Sequence, residues 1–323
     1  MDLIRDIGAT TYRFSIAWPP LFPDGVGEPN PKGVDFYSRL VEALIAAGIE
    51  PFATLYHWDL LQSLQDGCGG WQSKDTAKAF ADAGYISERP GDRVKHYFTI
   101  NEFASFVEGG HQGLDVNVGG GKTVHLGAAP GLRLSDSDLK QVRHHAVLAH
   151  GLGVQAIRSQ APAGTEVCFA ENTRVAIPVI NARDYVAAAE KATRDRDAGF
   201  MTVMLEGRYT DEYLTEAGGG SPTFTDDELK TIAEPLDFVG INVYKPGWYV
   251  QPPTSRPGTR TSRSTRRTPR CCRRGTSSIR KSCTGRRSWC KASGTRGRSS
   301  SPRTDAAPQT SSPRTAGSTT PTG

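Results

Sequence analysis

Tyr97-Phe98-Thr99-Ile100-Asn101-Glu102 runs four strand-forming residues straight into an amide and a carboxylate. Phe98, Thr99 and Ile100 have the aromatic and β-branched shapes that suit a buried strand. A carboxylate buried without a partner is costly to desolvate. The strand is therefore expected to stop at Asn101, with Glu102 facing a cavity. A surface glutamate opening a loop is the plainer reading of the hexapeptide by itself. A second stretch weighs against it: the apolar run Pro51-Phe52-Ala53-Thr54-Leu55 ends in Tyr56-His57-Trp58-Asp59. Two successive strands ending in polar and aromatic groups suggest the rim of an α/β barrel, where functional side chains gather at C-terminal strand ends.

The flanking segments continue the pattern. Residues 1–7 read as the end of a helix with Leu3, Ile4 and Ile7 as its apolar side and Gly8 as its stop. Residues 11–16 alternate like a strand and end at Ala17-Trp18, and the Pro- and Gly-rich residues 19–33 read as loop. Residues 35–47 carry Phe36, Leu40, Leu44 and Ile45 at helical spacing before Gly48. Helices are expected over 77–86, 142–158, 184–204 and 226–232, the last behind Thr225 as N-cap. Strands are expected over 166–171 and 236–244, the second ending in Asn242 and Tyr244. Strand, helix, strand, helix argues for a parallel sheet with right-handed crossovers. The expected fold is α/β, a (β/α)8 TIM barrel left incomplete, since a closed barrel needs eight strands.

Two stretches invite other chemistry and do not support it. Residues 109–131 are Gly-rich, and Gly119-Gly120-Gly121-Lys122-Thr123 superficially resembles a phosphate loop. The first glycine of that motif is absent, and the stretch reads as a loop over the barrel mouth. His144, His145 and His150 share one helix but not one face, so packing or surface roles are expected rather than zinc.

Composition divides the chain in two. Residues 254–323 carry 17 Lys+Arg against one acidic residue, which leaves 22 basic and 33 acidic residues in 1–253. The front part is net −11 and the back part +16, so the basic balance belongs to the tail. Cys271, Cys272, Cys283 and Cys290 lie in the tail with no histidine beside them, which is neither a disulfide framework nor a zinc pattern. No apolar run is long enough to span a membrane. No signal peptide opens the chain, and a reducing cytoplasm is the expected compartment.

Four of the strand ends together resemble family 1 glycoside hydrolases, the retaining β-glucosidases. They are Tyr12-Arg13-Phe14-Ser15-Ile16-Ala17-Trp18-Pro19, Leu55-Tyr56-His57-Trp58-Asp59, Thr99-Ile100-Asn101-Glu102 and Asp237-Phe238-Val239-Gly240-Ile241-Asn242-Val243-Tyr244. The resemblance covers residues 1–253 in order and spacing. It implies that Glu102 is the general acid/base, that Asn101 holds the sugar 2-hydroxyl and that His57 binds the same ring. It implies that Arg13 and Tyr244 steady the nucleophile, and it adds Trp58 and Asn242 to the substrate-binding set. It implies no metal and no cofactor. The implied partner is a β-glucoside or short β-linked oligosaccharide, with galactosides or fucosides as alternatives. Phe103, Leu61 and Pro20 stand where the family mostly has Pro, Pro and Arg, beside the chemistry rather than in it.

The larger departures are at the ends. The family's first strand would precede Met1. No Thr-Glu-Asn-Gly stretch, which in the family supplies the nucleophile, follows Tyr249. Retaining hydrolysis needs two carboxylates about 5–5.5 Å apart. Residues 254–323 have Ile279 as their only Ile, Leu, Val or Met and are expected to be a disordered basic tail. A shift of reading frame after Val250 accounts for it. Ser301-Pro302-Arg303-Thr304-Asp305-Ala306 can be encoded by bases that, read in another frame, spell Thr-Glu-Asn-Gly-Cys. The expected domains are thus 1–253, a partial glycosidase barrel, and 254–323. An inactive barrel fragment, a sugar-binding remnant and, through the Arg-rich tail, a nucleic-acid binder are the competing expectations; nucleic acid is the least favoured partner.

Overall fold

The computed structural model describes residues 1–82, 93–119, 121–173, 175–216, 220–244 and 248–252. The tail expected over 254–323 and the end of the helix expected over 77–86 lie outside the described residues. In chain order the strands are β1 (Thr11–Ser15), β2 (Glu50–Tyr56), β3 (His96–Asn101), β4 (Leu114–Gly119), β5 (Lys122–Leu126), β6 (Glu166–Asn172), β7 (Ile177–Pro178), β8 (Gly240–Asn242) and β9 (Tyr249–Val250). Five form one parallel sheet in the order β1-β2-β3-β6-β8. Register runs Phe14 to Ala53, Ala53 to Tyr97 and Tyr97 to Val167, and Ala170 meets Gly240. The strand order within this sheet is the chain order. Among the described residues β1 and β8 each pair on one side only, so the sheet is part of a barrel rather than a closed one.

β3 lies in the middle, and Tyr97 through Asn101 are all buried. Burial on both faces is what parallel strands covered by helices show. On one face Phe14, Ala53, Leu55, Tyr97, Val167 and Phe169 join the helical core. On the other, Phe98, Cys168 and Ala170 form a small cluster with Phe52 and Phe238. The helix Asp136–Gln160 packs its middle against the sheet and buries three histidines. His150 Nδ1 lies 2.6 Å from Thr99 Oγ1, His144 Nδ1 2.9 Å from the Tyr209 hydroxyl and His145 Nδ1 3.0 Å from the Trp71 carbonyl. Their roles are in packing.

Several elements differ from the expectation. Residues 109–131 are not a loop: helix Phe103–His111 takes in Gly109 and Gly110, and β4 and β5 follow as an antiparallel hairpin. Val116, Val118, Thr123 and Val124 supply β-branched residues, and Gly121 at φ +74° makes the turn. Helix Pro31–Ala46 starts four residues early, on Pro31 with Asn30 as its cap. It buries Tyr37, Val41 and Leu44 and leaves Phe36 and Ile45 exposed. The Tyr37 hydroxyl, which accepts from the Ala17 N–H at 2.8 Å, sets that face. Of the apolar side expected for the first helix, Leu3 and Ile7 are exposed and Ile4 packs, partly buried, against the core. Residues 19–33 include a short helix, Trp18–Leu21. The helix expected over 184–204 breaks at Asp197, where the Thr202 N–H reaches back five residues to the Asp197 carbonyl. The strand expected over 236–244 forms a regular ladder over Gly240–Asn242, and ahead of it the Asp237 N–H donates to the Val167 carbonyl at 3.2 Å while Phe238 meets the Phe98 ring with centroids 5.4 Å apart. Asp226–Ile232 keeps the expected Thr225 cap, with Glu228 completing a capping box.

Gly240 allows β8 its approach to β6. A Cβ there would lie 2.7 Å from Phe98 Cε1 and 2.9 Å from the Phe169 carbonyl oxygen. Gly240→Ala is expected to cost about 1–3 kcal/mol by overpacking, read as a lower urea midpoint, whereas Gly164→Ala, at a position open to solvent, should owe any loss to its positive φ alone. Burial drives His144 down to about 4 and His150 to about 3 from the ordinary 6.5. The unfolded chain takes up protons that the folded chain refuses. Their contribution is therefore complete above pH 6.5 and declines as pH falls from 6.5 towards 4 and 3. Urea unfolding across that range should show a flatter pH slope for His150→Gln than for the parent chain.

Candidate active site

The polar residues at the ends of β1, β2, β3 and β8 meet in one hydrogen-bonded network. The chain leaves β3 through Glu102 in the left-handed region, φ +50° and ψ +74°. Trp58, just past β2, is left-handed too, at φ +82°. They are the non-glycine residues of positive φ among the described residues. Each such conformation costs about 1–3 kcal/mol and persists only where its surroundings enforce it. The Glu102 N–H donates to the Ala170 carbonyl at 2.7 Å, and Trp58 Nε1–H donates to the Asn101 carbonyl at 2.7 Å. Both bonds cross to a neighbouring strand.

The Glu102 side chain is only 3% exposed and is held by three donors. Asn242 Nδ2 at 2.7 Å and the Tyr244 hydroxyl at 3.0 Å donate to Oε1, and the Ser105 hydroxyl at 2.9 Å donates to Oε2. The carboxylate beside it raises the Tyr244 phenol above its ordinary value of 10, which keeps that group a donor. Asn101 is the hub. Its Oδ1 accepts from Arg13 Nη2 at 2.8 Å and from Asn242 Nδ2 at 3.3 Å, and its Nδ2 faces His57 Nε2 at 3.1 Å. Arg13 lies over the Phe98 ring, 4.2 Å from its centroid, and donates through Nε to Thr54 Oγ1 at 2.8 Å. Desolvation, with the Arg13 charge adding to it, lowers the His57 pKa below 6.5, so the ring is neutral near pH 7.

The seven residues singled out from the sequence, Arg13, His57, Trp58, Asn101, Glu102, Asn242 and Tyr244, are thus brought together. In this structure Arg13 bonds Asn101 and Tyr244 bonds Glu102. Ser15, Thr54 and Ser105 belong to the network and were missed. Ser15 stands two residues after Arg13 on the same strand, so strand parity points both to one face. Ser105 is three residues after Glu102, one helical turn on.

Glu171, at the end of β6, has a different role. It is 2% exposed, and its oxygens accept from the Phe103 N–H at 2.7 Å and the Asn172 N–H at 2.9 Å. Burial, with Asp197 and Glu102 adding like charge, pushes its pKa up to about 8 against the pull of those two N–H groups. Its oxygens are engaged by the Phe103 N–H at the start of helix Phe103–His111 and by the Asn172 N–H within β6, so it does not present a free nucleophile.

The model of the family described as Glycosyl hydrolase family 1 matches residues 1–289. A β-glucosidase from an Agrobacterium strain is 38% identical over 252 residues, 76% of this chain and 50% of the relative. β-Glucosidase A of Acetivibrio thermocellus is 34% identical over 261 residues, 80% of this chain and 55% of the relative. A bifunctional β-D-glucosidase/β-D-fucosidase from Bifidobacterium breve is 36% identical over 250 residues, 76% and 50%. Among solved structures, the virulence factor SghA in complex with its substrate analogue salicin matches with a TM-score of 0.66 at 37% identity, over 76% of this chain and 51% of that one. A mutant of the rice β-glucosidase Os3BGlu6 in a covalent complex with Glc matches with a TM-score of 0.66 at 33% identity, over 77% and 52%. The chain spans about half the length of the curated relatives it matches.

If Glu171 is held for the backbone, Glu171→Ala leaves the buried Phe103 N–H without its acceptor. The expected cost is about 1–3 kcal/mol, measured by urea unfolding, with Glu171→Gln costing less because its amide oxygen still accepts one bond. Parent-like stability for the alanine variant would remove this role.

Proposed function

This chain belongs to glycosyl hydrolase family 1, and we propose that its activity is of the β-glucosidase type, the hydrolysis of terminal β-D-glucosyl residues by retaining double displacement. In that reaction one carboxyl group protonates the leaving oxygen while a second forms a glycosyl-enzyme, and the first then takes a proton from water. Glu102 is the proposed acid/base. The observation that carries this is its network: a buried strand-end carboxylate held by Asn242, Tyr244 and Ser105 and adjoining the Asn101–His57 pair. Asn101 would take the sugar 2-hydroxyl and His57 the same ring, with Trp58, Arg13, Asn242 and Tyr244 completing the surface. The chemistry calls for no metal or cofactor. The proposed substrate is a β-glucoside or short β-linked oligosaccharide, supported by the salicin and Glc complexes of the similar structures. Tolerance for fucosides is supported by the bifunctional relative.

The proposed glycosidase part of the chain is residues 1–253, a partial barrel. No helix among the described residues is long and apolar enough to cross a membrane. A reducing cytoplasm is the proposed site of action, supported by the free thiols Cys68 and Cys168.

A second reading has an observation in its favour. The 323-residue sequence has no Thr-Glu-Asn-Gly stretch after Tyr249, and Glu171 is taken up by the backbone. The chain as given would then supply one carboxylate of the two and bind sugar without turning it over. A paired assay on an aryl β-glucoside separates the readings. The 323-residue chain is expected to show negligible turnover, and a version extended at the N-terminus and restored in frame after Val250 is expected to hydrolyse. In that version Glu102→Ala should slow alkyl glucosides by about 10²–10⁴-fold and spare the first step for aryl glucosides with acidic leaving groups. Equal loss on both substrates would overturn the assignment.

A further inference from the structure

We propose that Ser15 is a positioning residue that holds His57 as its Nδ1–H tautomer, so that Nε2 accepts from Asn101 and keeps the Asn101 amide aimed for a sugar hydroxyl. The part concerning sugar rests on the function proposed above; the part concerning the tautomer does not.

The argument passes along one chain of hydrogen bonds. A guanidinium has donors and no acceptor. Arg13 Nη2 lies 2.8 Å from one terminal atom of the Asn101 amide, so that atom is the oxygen. Asn242 agrees: its Nδ2 lies 2.7 Å from the Glu102 carboxylate and 3.3 Å from the same Asn101 oxygen. The Asn101 NH₂ is thereby turned to His57 Nε2, 3.1 Å away. An Nε2–H would set donor against donor there, so Nε2 carries the lone pair. A neutral imidazole has one N–H, and it is left at Nδ1. Nδ1 faces the Ser15 hydroxyl oxygen at 2.7 Å, a good distance for that N–H to donate. Ser15 therefore accepts, and Arg13, Asn101, His57 and Ser15 form a relay with every donor pointing the same way.

The consequence is a recognition pattern. With one N–H of Asn101 Nδ2 committed to the His57 Nε2 lone pair, the amide keeps its second N–H at the strand ends. A sugar hydroxyl oxygen accepts that N–H, and the His57 bond fixes the direction in which it is presented. Without Ser15 the imidazole loses one of the two bonds that choose its tautomer. The other tautomer would show Asn101 an N–H, and the pattern would be lost.

The test is long-range ¹H–¹⁵N NMR of the 323-residue chain labelled at histidine nitrogens, near pH 7.5, with the His57 signals identified by their loss in His57→Gln. The parent chain is expected to show His57 mostly as the Nδ1–H form. Ser15→Ala should lower that fraction clearly, and Ser15→Thr, which keeps the hydroxyl, should restore it. A parent chain in the Nε2–H form would overturn the proposal, and so would an unchanged tautomer in Ser15→Ala. Methyl β-glucoside titration adds the sugar-dependent arm. Binding several-fold weaker in Ser15→Ala and recovered in Ser15→Thr is expected, in line with loss of one hydrogen bond. Equal binding by all three overturns the recognition role. No binding by the parent chain, with the tautomer as expected, would count against the proposed function and the recognition role but leave the tautomer assignment standing.

Discussion

A carboxylate that is 3% exposed needs donors around it, and the end of β8 and the helix that follows β3 supply them to Glu102. An ionised carboxyl group taken out of water without partners is among the costliest features a fold can carry. Here the donors come from Asn242 and Tyr244, more than a hundred residues away in sequence, and from Ser105 one helical turn on. The requirement reaches outward. Asn242 is in place only because β8 lies against β6, and β8 comes that close only because Gly240 has no side chain to meet Phe98 and the Phe169 carbonyl.

The same constraint explains where the backbone is strained. Glu102 and Trp58 both hold left-handed conformations, and each is tied by a backbone or indole N–H to a carbonyl on an adjacent strand. Strain of this kind is sustained by rigid neighbours, and β3 is buried from Tyr97 to Asn101. Glu171 shows the contrasting solution for a buried carboxyl group. It sits at the neighbouring strand end but meets backbone N–H groups where Glu102 meets side chains. The first arrangement secures the start of a helix. The second surrounds a carboxylate with side-chain donors.

The strand ends were legible because they break a rule that buried strands otherwise obey. Apolar runs that finish in Asn-Glu, His-Trp-Asp or Asn-x-Tyr are conspicuous against ordinary strands, and their order along the chain matches their order in the sheet. Phase and local geometry were less legible. Phe36 and Tyr37 are adjacent aromatics on one helix, and a bond from Ala17 selects which of them is buried. The glycines of residues 109–131 suggested a loop, yet two of them lie in a helix and another turns a hairpin. Glycine tolerates all of these conformations, so its presence alone does not choose among them.

The sequence by itself determined the alternation of strand and helix, the parallel sheet that follows, the family and the seven residues that gather at the strand ends. These are properties of residue type and spacing, which act locally and survive without coordinates. Only the tertiary structure decided what each residue touches. Arg13 bonds Asn101, Tyr244 bonds Glu102, and Ser15 enters the site through His57. Glu171 leaves the list of free carboxylates because Phe103 and Asn172 occupy its oxygens. Hydrogen bonds are directional and reach about 3 Å, so partners far apart in sequence are chosen by the register of the strands that carry them.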